Sequence, residues 1–72
     1  MQLRELKQGK RFEFVDKVSG FLLHTGEKHT AMGVFKFVGY ANYGCPILYN
    51  EALCADVVAD LNTARRDVLI IL

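Results

Sequence analysis

The sequence has no tryptophan, a single proline and only two cysteines in 72 residues. Two cysteines cannot build the dense disulfide framework of small secreted domains, so packing has to hold the chain together. The start, "MQLRELKQGK", is charged and lacks the apolar core of an export signal. A reducing cytoplasm is therefore the expected location, with both thiols free. No apolar run reaches the roughly 18 residues of a membrane-spanning helix. A strong charge of either sign is missing too. The net charge is +1 and the sequence pI about 7.8, far from the basic balance that marks nucleic-acid-binding domains. The six glycines are scattered and match neither a phosphate-binding nor a dinucleotide-binding pattern.

Apolar residues, by contrast, are plentiful. They make up 51% of the chain, slightly above the usual range of about 45–50%. A chain of this length forms one domain, residues 1–72, whose core supplies only about 3–5 kcal/mol unaided. The apolar surplus points to a surface shared with a partner. Charge is mildly divided: residues 1–17 carry +2 and residues 51–72 carry −2, a split suited to contact within one fold or between subunits.

Read along the chain, "KRFEFVD" alternates, with Phe12 and Phe14 on one side and Arg11 and Glu13 on the other, as a half-buried strand does. Ser19-Gly20 marks a turn, Phe21 to Leu23 a short apolar run, and "TGEK" a hairpin tip at Gly26. "GVFKFVGY" reads as an interior strand, "ANYG" as a turn, and "CPILY" as a short strand with Pro46 at its start. In "NEALCADVVADLNTARR" the apolar positions 53, 54, 57, 58 and 61 fall on one helical stripe, with Asn50 as N-cap. "DVLIIL" closes the chain as a strand with two covered faces. These elements predict an α+β fold: an antiparallel sheet of four to five strands with one amphipathic helix near the C-terminus. The alternative is an SH3-like β-barrel. "LKQGKRFEF" has the look of the opening of small barrels, and "ADLNTARRDVLII" can be divided as strand, turn, strand.

Thr25-Gly26-Glu27-Lys28, preceded by His24, resembles the linker between tandem two-Cys two-His zinc fingers. The flanking pattern fails, because no ligand pair precedes His24 and the next cysteine is Cys45. Tetrahedral zinc needs four ligands from one small unit. His24, His29, Cys45 and Cys54 follow no metal-knuckle spacing, so no metal or other cofactor is expected. No arrangement of nucleophile, base and orienting group stands out, and no enzyme activity is expected. Tyr40, Tyr43 and Tyr49 cluster around "ANYGC" with Lys36 nearby. They form the candidate partner-binding patch, since tyrosine offers large area with a polar tip. Val68, Ile70 and Leu72 are the candidate dimer interface, one face of the last strand meeting the helix and the other a second subunit.

The expected function is thus a small cytoplasmic protein-interaction module, a self-associating homodimer, of a size common in phages and mobile elements. The alternative is an RNA- or single-stranded-DNA-binding domain. It would use the three tyrosines with Lys36, Lys7, Lys10 and Arg11, as small sheets do when they stack bases on exposed rings.

Overall fold

Alternation of side chains, rather than helical periodicity, governs nearly the whole chain. A computed structural model describes residues 1–71. It contains seven strands: β1 (Arg11–Phe14), β2 (Val18–Leu22), β3 (Lys28–Ala31), β4 (Val34–Tyr40), β5 (Pro46–Asn50), β6 (Ala55–Ala59) and β7 (Val68–Ile70). They form one antiparallel sheet in the order β3-β2-β6-β5-β4-β1-β7. Three short 3-10 turns, Leu3–Glu5, Asn42–Gly44 and Leu61–Arg65, complete the regular structure.

This corrects the expected α+β architecture. There are seven strands instead of four to five, and no α-helix among the described residues. The barrel alternative is not met either, because the sheet is open: β3 and β7 end it and do not pair with each other.

The helix fails for local reasons. Asn50 does cap a turn, its Oδ1 accepting the Leu53 backbone N–H at 2.9 Å. The turn goes no further, because Cys54 adopts a left-handed conformation at φ 51° and β6 starts at the next residue. The β-branched pair Val57 and Val58 then points to opposite sides of a strand. Val57 is fully buried and pairs with Leu22 and Leu48, while Val58 pairs with Phe21 and Ile47. Leu53 and Leu61, the ends of the supposed stripe, are 40% and 58% exposed.

A sheet without a helix must cover its core with itself. Val18 and Ala31, on β2 and β3 at one end, belong to the same buried cluster as Phe12 and Val68, on β1 and β7 at the other. The sheet therefore bends over so that its ends face each other. A flat sheet would be one backbone layer deep; the shortest dimension here is 20 Å, room for two layers separated by about 10 Å. Phe12, Phe14 and Phe35 fill the middle with ring centroids 5.3–5.9 Å apart, two of the three contacts being edge-on. The Arg66 guanidinium lies 5.1 Å over the Phe14 ring and donates to the Lys17 carbonyl at 3.2 Å, joining the two ends of the sheet.

The first residues close one edge. Val68 N–H donates to the Met1 carbonyl at 2.8 Å and Leu3 N–H to the Arg66 carbonyl at 2.9 Å, and the following turn drops Leu3 into the core. The partner layer expected over β7 is supplied by the chain itself. Val68 is buried and Ile70 packs on the core, opposite Phe14 and Phe12 respectively. Leu69, 56% exposed, is the residue that faces outward; Leu72 lies outside the described residues.

Gly20 permits the close pairing of β2 with β6. It is buried on β2 opposite Ala59 of β6, and a Cβ there would stand 2.6 Å from Val57 Cγ1 and 2.8 Å from the Val58 carbonyl oxygen. Both contacts are closer than real Cβ atoms tolerate, and the oxygen belongs to the backbone. Gly20→Ala should destabilise the fold by about 1–3 kcal/mol through overpacking, read as a lower urea midpoint. An unchanged midpoint would show that β2 and β6 can separate freely.

Candidate functional site

Where the inner face of the sheet is filled, the outer face keeps an ordered set of side chains in rows across the strands. One row is apolar: Phe21 on β2, Val58 on β6, Ile47 on β5, and the bulged end of β4 at Val38-Gly39. The next row is mixed: Arg11 on β1, Lys36 on β4, Tyr49 on β5 and Asp56 on β6, each the register partner of the next. Lys36, Val38, Tyr49, Glu51 and Asp56 line an open depression of about 560 Å³. Beyond the apolar row a second depression, about 330 Å³, is lined by Phe21, Lys28, Cys45, Val58 and Asp60 among others.

The electrostatics of the mixed row are partly fixed. Arg11 Nε and Nη2 donate to Glu51 Oε2 and Oε1 at 2.8 and 3.0 Å, a bidentate pair. These bonds hold the Glu51 carboxyl below its ordinary value of 4.5, with the Arg11 and Lys36 charges adding to the effect. The same bonds raise Arg11 further. The Tyr49 phenol is pushed above its ordinary value of 10.0, first by the neighbouring Cys54, then by burial and the nearby Glu51 and Asp56 carboxylates. Lys36 and Asp56 make no ion pair among the described residues.

The three tyrosines singled out in the sequence are separated. Tyr49 stands on the outer face beside Lys36, as register partners. The bulge between Phe37 and Gly39 shifts the alternation, so Tyr40 packs edge-on against Phe37, at 5.3 Å and 70°, on the core side. Tyr43 sits at the tip of the β4–β5 hairpin, 94% exposed, with its backbone in the left-handed region at φ 74° and ψ 5°. Lys7 and Lys10 are exposed on the lead-in to β1, where the Lys10 carbonyl accepts from the Phe37 N–H of β4 at 2.9 Å. Phe21, Ile47 and Val58 went unmarked in the sequence. Their signal was available: in "SGFLL", "PILY" and "DVVA" these are the alternate apolar positions, opposite Leu22, Leu48 and Val57.

Among the described residues no three His, Cys, Asp or Glu side chains gather in a way that could hold a metal ion. Both cysteines are free, Cys54 exposed and Cys45 half-buried. No helix among the described residues is long and apolar enough to cross a membrane. Comparison of the chain with protein-family models, curated proteins and solved structures finds no match.

Two expectations follow from this geometry. A tyrosine in the left-handed region carries strain that glycine does not, and Tyr43 recovers none of it by packing. Tyr43→Gly should therefore raise stability, by about 0.5–1 kcal/mol in denaturant titration; a loss of stability would mean that the ring makes contacts its exposure denies. Glu51, with its folded value lowered, stabilises the fold above pH 4.5, and that contribution disappears as pH falls through the lowered value. The stability gap between the native chain and Glu51→Gln should accordingly close on acidification below pH 4.5. A gap that stays constant with pH would remove the carboxylate from the account.

Proposed function

We propose that the protein is a small cytoplasmic interaction module that binds another protein through the outer face of its sheet. The observation that carries this reading is the apolar row of exposed Phe21 and half-buried Val58, Ile47 and Val38 on the outer side of four adjacent strands. Monomeric proteins seldom leave contiguous apolar rows uncovered, and a row rimmed by polar residues is the usual anatomy of an interface. Here the rim is supplied by Lys28 and Lys36 on one sign and Asp56 on the other. Two free thiols suit a reducing compartment.

The nucleic-acid reading draws less support. Stacking platforms need several exposed rings along a positive groove. On this face Tyr49 has no second tyrosine beside it, Arg11 is held by Glu51, and Asp56 places a negative charge next to the ring.

Ile47→Asp puts a charge in the middle of the apolar row without entering the core. The variant should remain folded by circular dichroism while its affinity for the partner falls at least about tenfold, as at an interface hot spot. A folded variant that still captures the same protein with unchanged affinity would show that binding, where it occurs, uses another face.

A further inference from the structure

We propose that the partner is a second copy of this chain, docked outer face to outer face with β5 lying along the two-fold axis. The proposal rests on the reading of that face as a binding surface and adds the identity and orientation of what covers it. It moves self-association away from Val68 and Ile70, which face the chain's own core.

The argument is one of symmetry and charge. A two-fold contact is self-complementary only if each group meets its counterpart after a half-turn. β5 has β4 on one side and β6 on the other. A half-turn about an axis along β5 lays β4 of one copy over β6 of the other. Lys36 on β4 and Asp56 on β6 share one row with Tyr49 between them. The operation therefore sets Lys36 against Asp56 of the second copy, twice over. In the neighbouring row it sets Val38 against Val58 of the second copy, while Ile47 and Tyr49 meet their own equivalents on the axis. Across β4, β5 and β6 apolar meets apolar and plus meets minus, while Phe21 on β2 falls opposite β1 of the second copy. The other in-plane axis, running across the strands along the Lys36 row, would place Lys36 on Lys36 and Asp56 on Asp56, which repel.

The two charges are available for such a contact. They sit two strands apart, a backbone separation of about 9.6 Å, and neither forms an ion pair among the described residues, whereas the neighbouring Arg11 and Glu51 already satisfy each other. The outer face of a bent sheet is convex, so the contact is small and belongs to the weak end of protein interfaces, with dissociation in the micromolar range.

The test is sedimentation equilibrium of the full chain from about 1 µM to about 1 mM, a range that brackets such affinities. The native chain should dimerise. Lys36→Asp alone and Asp56→Lys alone should each weaken dimerisation at least about tenfold, because two attractions become two repulsions. An equimolar mixture of the two variants should associate again, since each restored junction then pairs opposite charges. A native chain that stays monomeric throughout, or a mixture that fails to recover, overturns the proposal. A monomeric chain that still captures another protein in a manner abolished by Ile47→Asp sinks the dimer alone and leaves the binding face standing.

Discussion

The structure depends on one constraint: a sheet with no helix to lie on must supply both walls of its own core. Everything apolar on its inner face has to find a partner on the same sheet, several strands away. This explains why Phe12, Phe14 and Phe35 sit where the two walls meet, and why residues from β2, β3 and β7 share a cluster despite lying at opposite ends of the strand order. Gly20 answers a more local constraint: between the paired strands β2 and β6 there is no room even for a methyl group.

The turns take over the work that caps perform in helical proteins. Asn50 is almost fully buried and uses both ends of its amide, donating to the Met32 carbonyl at 3.2 Å and accepting from Leu53 at 2.9 Å. One side chain thereby pins the β3–β4 connection to the β5–β6 turn. Asp60 plays the same part at the 3-10 turn before β7, its Oδ1 accepting from the Thr63 backbone N–H and hydroxyl at 3.0 and 2.9 Å. Both are residues whose side chains compete with the backbone for local hydrogen bonds. In a sheet of short strands that competition fixes where each strand stops.

This dual use of Asn and Asp is also why part of the fold was illegible. β1 and β4 could be read directly, because "RFEF" and "VFKF" alternate without ambiguity, and the β2–β3 hairpin was signalled by Gly26. The stretch from Asn50 to Arg66 was not, because a capped single turn, a strand and a second capped turn together imitate the spacing of one helix. Asn50 and Asp60 are good caps in either case. What separates the two is Val57-Val58, a β-branched pair better suited to a pleated surface than to a helix, and the left-handed Cys54, which no local pattern announces. The three tyrosines separate for a different reason. They are neighbours in sequence around "ANYGC", yet the Val38-Gly39 bulge reverses the alternation just before Tyr40 and puts it on the other face from Tyr49.

The bulge connects fold to candidate function. Without it, strict alternation from Lys36 would carry Val38 and Tyr40 outward together, and a large ring would stand at the end of the apolar row. With it, Tyr40 is drawn onto Phe37, and the outer row is completed instead by the smaller Val38 beside Ile47, Val58 and Phe21. A row of branched aliphatic side chains with only one ring at its end stands lower than a row of tyrosines, so another sheet can approach the middle of this convex face more closely. The apolar surplus noted in the composition is thus divided by the alternation itself. The inner positions are consumed by the walls of the core, and part of the remainder forms the outer row on four central strands, with the exposed polar pair of Ser19 and Thr30 facing each other at the β2–β3 end. A short edge strand of Lys28, His29, Thr30 and Ala31 resists strand-to-strand addition by its charge and polarity. The proposed contact accordingly uses the face of the sheet and not the β3 edge.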